Sequence, residues 1–138
     1  MRDVAYVALG SNVGDRHAML AHAREALAAL PDSRILAMTD VEETEPIGPV
    51  AQAAFLNQMV ALETSLAPRA LLGELHAIER SAGRERRERW GPRTLDLDIV
   101  MLEAQRVSDE DLVVPHPELP NRAFWQRELA TLRARGDA

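Results

Sequence analysis

The chain has 138 residues, of which 46% are hydrophobic and 28% charged, and it contains no cysteine. These values predict one soluble domain over residues 1–138, and the absent cysteine excludes disulfides, thiolate nucleophiles and zinc–sulfur sites. The formal net charge of −6 argues against general nucleic-acid binding, and no apolar run approaches the ~20 residues of a membrane span. The N-terminus does not have the shape of a signal peptide, so a cytoplasmic location is expected.

All 16 basic residues are arginines, because the sequence contains no lysine. A P-loop requires a lysine at the β- and γ-phosphates, and a protein kinase requires a strand lysine. Both classes are therefore excluded. A protein of this composition that handles a nucleotide would do so with arginine and a metal ion.

Hydrophobic periodicity divides the chain into alternating strands and helices. Pro68 stands where proline favours the start of a helix, and Gly83 stands where a glycine commonly ends one. The predicted elements are a strand over 4–9, a helix with apolar residues at 20, 23, 27 and 30, a strand over 34–41, a loop over 42–54, a strand over 55–63, a helix over 68–83, a strand over 94–102 and a helix over 121–135.

This order predicts an α+β fold of the ferredoxin-like sandwich type, with an antiparallel sheet and helices packed on one face. The two longest irregular stretches are 42–54 and 83–94. Since long loops in compact domains are usually functional, both are expected to be active-site loops.

Two carboxylates are prominent in the predicted strand 94–102. Because strand side chains alternate, Asp96 and Asp98 should share one face, while Leu95, Leu97 and Ile99 face the core. Two negative charges this close repel each other unless a cation lies between them, and Mg²⁺ commonly binds one or two carboxylates together with substrate phosphates. A chance pair of acids on an exposed strand is the alternative.

An arginine cluster precedes this strand. The window 80–93 contains six arginines and two glutamates, together with Trp90. Guanidinium groups bind phosphate oxygens in a bidentate manner. A solvated charged loop would also have this composition, but the adjacent aspartates favour a site for magnesium and a polyphosphate.

A second candidate site involves aromatic residues. Phe55 and Asn57 are two positions apart on a predicted strand and so share a face. A ring beside an amide suits a flat heterocycle, although a core phenylalanine and a strand-end asparagine would also explain the pair. Phe124 could supply a second stacking wall. His116 lies between two prolines, where a structural role is the simpler interpretation.

Several sequence blocks together resemble the 6-hydroxymethyl-7,8-dihydropterin pyrophosphokinase family. They run in family order over residues 4–125, and the block Arg-Trp-Gly-Pro-Arg-Thr-Leu-Asp-Leu-Asp over 89–98 is the most specific. The other blocks are Ala8-Leu9-Gly10-Ser11-Asn12, Glu43-Thr44-Glu45-Pro46-Ile47-Gly48-Pro49, Phe55-Leu56-Asn57, Gly83-Arg84-Glu85-Arg86, Val114-Pro115-His116-Pro117 and Asn121-Arg122-Ala123-Phe124.

The resemblance implies a pyrophosphokinase that transfers pyrophosphate from ATP to the hydroxymethyl group of the pterin and releases AMP, in folate biosynthesis. It implies two Mg²⁺ ions held by Asp96 and Asp98, and small-molecule substrates. The composition predicts no nucleic-acid or membrane partner, and we expect a monomeric or weakly dimeric protein, with the monomer favoured. The implied site residues are Arg84, Arg93, Asp96 and Asp98 for catalysis, Thr44, Ile47, Phe55, Asn57 and Phe124 for the pterin, and Arg84, Trp90, Arg93, Ile99, His116 and Arg122 for ATP.

The chain departs from the family pattern at several positions. Glu42 stands where many members have an aromatic residue, and Asp111 and Val113 replace polar or basic residues used near ATP. The helix segment 125–129 is charged where the family is often apolar.

Two other functions fit the same fold. A ferredoxin-like sheet can bind RNA through aromatic residues and arginines, but the acidic net charge and the paired aspartates count against this. A pseudoenzyme that keeps the fold as an interaction domain would form no AMP from ATP, magnesium and the pterin.

Overall fold

The computed structural model describes residues 2–12, 14–44, 54–83 and 95–136. Within these ranges, no helix combines the length and the apolar character needed to cross a bilayer. The elements are β1 (Asp3–Ser11), α1 (Arg16–Ala28), β2 (Ser33–Met38), β3 (Glu42–Thr44), β4 (Phe55–Thr64), α2 (Pro68–Gly83), β5 (Asp96–Leu102), β6 (Val107–Ser108), β7 (Val113–Val114), a 3₁₀ turn (Leu119–Asn121) and α3 (Ala123–Gly136).

The main sheet is antiparallel at every pairing of its described strands. Its order is β2–β4–β1–β5, and the short strand β3 pairs with the beginning of β4. The central strands β1 and β4 are buried over most of their length. Both faces of the sheet therefore need to be covered by other elements.

Helices cover the sheet from both sides. On one face, Leu9 packs in a cluster with Leu27 of α1 and Leu75 of α2. On the other face, Met59 of β4 packs in a cluster with Trp125 of α3. The prediction of helices on one face is therefore correct for α1 and α2 but wrong for α3, because β1 and β4 place apolar side chains alternately on both faces.

The strand and helix boundaries differ from the predictions at several places. The strand predicted over 34–41 ends at Met38, and the predicted loop 42–54 begins with β3, where Thr44 pairs with Phe55. The predicted helix 121–135 begins at Ala123, after the 3₁₀ turn. The sequence did not indicate the small β6–β7 hairpin. Residues 45–53 and 84–94, which make up most of the two predicted loops, lie outside the described residues.

A β-bulge in β5 determines which side chains reach each face. Ile99 lies opposite Val7, whereas Met101 lies opposite Tyr6, so Val100 is an extra residue in the ladder. Val100 and Met101 consequently both contact the α3 cluster, and Leu102 returns to the α1–α2 core. Strict alternation would have placed Leu102 on the face that carries the aspartates.

Candidate functional site

A cleft of about 320 Å³ opens where the ends of β1, β4 and β5 meet the beginning of α3. We call it the first cleft. It brings together seven of the residues predicted from the sequence, from four separate elements and the turn before α3. Its lining consists of Ala8, Leu9, Gly10, Thr44, Phe55, Asn57, Asp96, Asp98, Arg122, Phe124 and Trp125.

Small residues of β1 form part of this cleft and leave it open. Gly10 pairs with Asp96 on one side and with Asn57 on the other, and Ala8 pairs with Asp98. A Cβ atom at Gly10 would lie 3.4 Å from the Oδ1 atom of Asn57. The sequence analysis did not identify Ala8, Leu9 or Gly10 as lining residues, although small residues at a strand end were the available signal.

Asn57 is held in place by the strand beside it. Its Nδ2 atom donates a hydrogen bond to Oγ1 of Thr44, and the residue is only 6% exposed. With the amide nitrogen used in this way, Oδ1 lies on the Gly10 side and can accept a hydrogen bond from a ligand. Phe55 lines the same cleft, so the predicted combination of a ring and an amide is present.

The two aspartates share one face of β5, as predicted. Asp96 and Asp98 are half-buried and line the first cleft, while Leu95, Leu97 and Ile99 are buried in the core. The Asp98 side chain is 39% exposed. A strand period of two is sufficient to explain this division.

His116 lies beside the second aspartate. Its Nε2 atom is 3.7 Å from Oδ1 of Asp98, and its Nδ1 atom accepts a hydrogen bond from the backbone N–H of Glu118 at 3.0 Å. The neutral ring therefore carries its hydrogen on Nε2, facing the carboxylate. Its backbone N–H also donates to the carbonyl of Val100, which ties this turn to β5. His116 therefore both helps to hold this turn against β5 and lies next to Asp98.

A second cleft, of about 380 Å³, lies on the α2 side of β5. Asp98 lines both clefts, so the aspartate pair lies at the border between them. The second cleft includes the predicted residues Ile99 and His116. Its full lining is Leu72, His76, Glu79, Leu97, Asp98, Ile99, Glu110, Asp111, Leu112, Val113, His116 and Pro117.

The helix α2 contributes two polar residues that the sequence analysis missed, His76 and Glu79. Oε2 of Glu79 accepts a hydrogen bond from the backbone N–H of Leu97 at 2.7 Å. Burial raises the pKa of the Glu79 carboxyl; the bond from Leu97 lowers it, and the negative charge of Asp96 raises it further. The field of the aspartates thus extends to α2. The sequence signal for His76 and Glu79 was weak, since both lie on a helix that was identified by its apolar stripe.

Arg122 places a cation at the first cleft. Its guanidinium carbon lies 4.4 Å from the centre of the Trp125 ring, a cation–π contact. Its Nε atom is buried and has no hydrogen-bond partner among the described residues. An anionic ligand in the cleft would lie next to the Arg122 guanidinium group. Trp125, which orients it, was another lining residue that the sequence analysis missed.

Four predicted site residues cannot be placed. Ile47, Arg84, Trp90 and Arg93 lie outside the described residues. Their roles remain predictions.

The donor set at the border of the clefts is suitable for a hard cation. Within 2–12, 14–44, 54–83 and 95–136, no group of three or more acidic, histidine or cysteine side chains is arranged to hold a metal ion. The described residues therefore do not form a closed protein cage. A pair of carboxylates facing a cleft is the arrangement Mg²⁺ uses when phosphate and water complete its coordination, so the donor set fits that ion.

Similarity to known proteins shows the family of this chain. A family model described as 7,8-dihydro-6-hydroxymethylpterin-pyrophosphokinase matches residues 6–134. The chain is 48% identical over 128 residues to the 2-amino-4-hydroxy-6-hydroxymethyldihydropteridine pyrophosphokinase of Methylorubrum extorquens, covering 93% of this chain and 81% of the relative. It is 44% identical over 135 residues to the Bacillus subtilis protein of the same name, covering 96% and 79%. The Pseudomonas aeruginosa protein of that name is 44% identical over 127 residues, covering 92% and 78%.

Proposed function

The chain belongs to the 7,8-dihydro-6-hydroxymethylpterin-pyrophosphokinase family, and we propose that the two clefts beside β5 are where it performs the family reaction. The protein transfers pyrophosphate from ATP to hydroxymethyldihydropterin in folate biosynthesis, which gives the pterin diphosphate and AMP. The observation that carries the placement is that Asp98 lines both clefts. A group held at the aspartate pair is within reach of ligands in either cleft.

The first cleft binds the pterin. Phe55 and Phe124 supply two aromatic surfaces at its lining, on which a flat bicyclic ring can stack. Asn57, oriented by Thr44, offers a hydrogen-bond acceptor to the edge of that ring. A buried, pre-oriented amide discriminates strongly against ligands that lack the matching donor. We assign Ile47 to the same site from the family resemblance.

The second cleft binds ATP, with its phosphates directed towards the aspartates. His116 lies at the border with its Nε2–H facing Asp98, and Ile99 contributes an apolar surface. His76 and Glu79 supply polar groups on the α2 side. From the first cleft, Arg122 adds a cation near the acids. The family resemblance adds Arg84, Trp90 and Arg93 to the ATP site.

Asp96 and Asp98 are the residues that would hold magnesium, which we propose as two ions, at the border of the two clefts. When bound, Mg²⁺ neutralises charge on the phosphate oxygens and helps to orient them. The strand fixes the face on which the carboxylates lie, because the hydrophobic side chains between and beside them are buried on the opposite face. His116 restrains Asp98 further through its 3.7 Å contact.

The chemistry that the protein's own residues perform is mainly positioning. The hydroxymethyl oxygen forms a bond to the β-phosphorus of ATP while the bond from that phosphorus to the α-phosphate oxygen breaks. AMP leaves with that oxygen, and the hydroxyl proton passes to solvent. Holding both substrates in line supplies much of the rate of such a reaction, and cations stabilise the charge. We therefore assign no general base. Arg84 and Arg93 are proposed as the arginines that neutralise the transferred group.

We propose the ferredoxin-like class for the whole of residues 1–138 as a single pyrophosphokinase domain. The chain order β1–α1–β2–β4–α2–β5, with β3 as a short addition, and the strand order β2–β4–β1–β5 support this assignment. A monomeric state is part of the same proposal.

The reaction and its metal dependence are tested by measuring AMP release. We expect AMP to form only when ATP, hydroxymethyldihydropterin and Mg²⁺ are all present. The aspartate pair and the triphosphate are both negatively charged, so a cation must lie between them. Excess chelator should abolish AMP formation, and added Mg²⁺ should restore it. ATP without the pterin is the control.

Absence of AMP under all conditions would favour the pseudoenzyme interpretation. Tight, salt-sensitive RNA binding without magnesium would favour the RNA-binding module. AMP formation that survives chelation would remove the metal from the proposal while leaving the transfer reaction in place.

A further inference from the structure

Helix α3 buries an acid that the proposed reaction does not use. Glu128 is 3% exposed, and it is the one charged residue among the buried side chains of the described part of the chain. Neither of its carboxyl oxygens has a hydrogen-bond donor as partner among the described residues. An ionised carboxylate in such surroundings is strongly unfavourable, so a compensating arrangement is needed.

The carboxylate of Glu42 on β3 lies beside Glu128, and Arg127, which precedes Glu128 on α3, contacts the same carboxylate. Two ionised carboxylates are both acceptors and cannot bond to each other. With one shared proton, one of them becomes a donor and the contact becomes a charge-assisted hydrogen bond. Arg127 also binds Glu42, with its Nη2 atom 2.8 Å from Oε1, so Glu42 already has a cation as its partner whereas Glu128 has none of its own among the described residues.

The proton therefore belongs on Glu128. Burial raises the pKa of the Glu128 carboxyl to about 8, the neighbouring Glu42 raises it too, and Arg127 lowers it. From β2, β4 and β1, the residues packed in the same layer are mainly apolar (Ala37, Met59, Ala61, Ala8). The other titratable or charged groups around this layer, among the described residues, have different partners. Tyr6 and Arg133 bind Glu103, Arg135 donates to the carbonyl of Met38, Arg122 stacks on Trp125 and His116 lies beside Asp98.

This contact joins the two walls of the first cleft. Glu42 lies opposite Asn57 in the ladder and two residues before Thr44, which holds the Asn57 amide. Glu128 lies one helical turn after Phe124 on α3. The distance between Asn57 with its partner Thr44 and the Phe124 ring on α3 is therefore linked to how closely β3 is held to α3.

We propose that protonated Glu128 is a positioning residue for the substrate: it donates a hydrogen bond to Glu42, holds β3 against α3 and so sets the width of the first cleft. The proposal rests on the assignment of that cleft to the pterin. Loss of the proton places two negative charges in contact, which pushes β3 away from α3 and weakens pterin binding. The effect should fall on KM for the pterin rather than on kcat, because the aspartates are on a different strand.

The test is the pH dependence of KM for the pterin in four proteins: wild type, Glu128→Gln, Glu128→Leu and the control Glu25→Gln. Glutamine keeps the donor and cannot ionise, leucine removes the donor, and Glu25 is an exposed glutamate on α1. For each protein we divide KM for the pterin by the KM of Glu128→Gln at the same pH. Between about pH 6.5 and about pH 9, we expect this ratio to rise roughly fivefold to tenfold for the wild type and for the control. The reason is that the hydrogen bond between Glu128 and Glu42 is replaced by a repulsion. Glu128→Leu should show a raised KM at every pH, with kcat within about twofold of wild type.

A wild-type KM that keeps a constant ratio to that of Glu128→Gln across this range would overturn the proposal. So would equal KM values for the leucine and glutamine variants. If the leucine variant does not fold, the ratio of wild type to Glu128→Gln against pH decides by itself. The cleft assignment fails separately: an unchanged pterin KM in Asn57→Ala would remove the pterin from the first cleft, whatever the Glu128 variants show.

The same proton gives a stability prediction. The pKa of Glu128 is raised from an ordinary value of 4.5, so its contribution to stability is fully present below that value and is lost as the pH rises through about 8. We expect Glu128→Gln to gain thermal stability relative to the wild type as the pH increases, because the glutamine has no proton to lose. The measurement is Tm of both proteins at about pH 6 and about pH 9. A Tm difference that does not change with pH would mean that Glu128 does not hold a proton in the folded state.

Discussion

We expect Asp96→Ala to lower kcat by about a thousandfold or more, while the Kd of the pterin changes little. The substitution removes half of the carboxylate pair at the border of the two clefts, and with it the proposed ligand for the magnesium ions that neutralise the triphosphate. Effects of this size are expected when a group acts on charge in the transition state rather than on substrate binding. The measurement combines steady-state AMP release with equilibrium titration of the pterin.

Asp40→Ala is the matched control for this prediction. Asp40 is an exposed aspartate that lines neither cleft, so its removal should leave kcat within about twofold of wild type. Turnover of Asp96→Ala close to that of this control would contradict the metal-binding role of Asp96. A proportional loss of pterin affinity would show instead that the aspartate shapes the first cleft.

We expect Asn57→Ala to raise KM for the pterin by roughly tenfold to a hundredfold and to leave KM for ATP near the wild-type value. The amide is buried, and its nitrogen is already bonded to Thr44, so its oxygen is the recognition group on that wall. Removing it deletes one hydrogen bond to the ligand and leaves the Thr44 hydroxyl without this partner, and losses of this kind are large at buried positions. KM values for both substrates, measured at saturation of the other, provide the check.

Gln105→Ala serves as the control, because the Gln105 amide bonds to Asp3 at the far end of the sheet. It should change neither KM by more than about twofold. If Asn57→Ala raised both KM values equally, the loss would reflect a general disturbance of the sheet. An unchanged pterin KM would place the pterin elsewhere.

The sequence predicted most of the regular elements because their patterns are local. The strand β5 is the clearest example: alternation of leucines with aspartates directed Asp96 and Asp98 to one face, and the structure confirms it. The helix α2 was located from its starting proline and apolar stripe. In both cases the period of the side chains follows from backbone geometry and requires no knowledge of neighbours.

Other features could not be found in this way because they depend on a partner element. The strand β3 has only three residues, too few to show a period, and it exists through its pairing with β4. The bulge at Val100 is an irregularity of the β1–β5 register, which the sequence of β5 does not reveal. The face on which α3 packs is determined by the apolar surface that β1 and β4 leave uncovered.

For the site, the sequence by itself determined the chemistry and not its assembly. It identified a carboxylate pair, a ring beside an amide and a family with specific motifs, because residue type and short spacing carry that information. Tertiary structure alone decided that Asp98 borders two clefts and that Glu42 and Glu128, two charged departures from the family pattern, are neighbours. The physical reason is that burial and proximity, which decide whether a carboxyl keeps its proton, arise only when distant segments pack together.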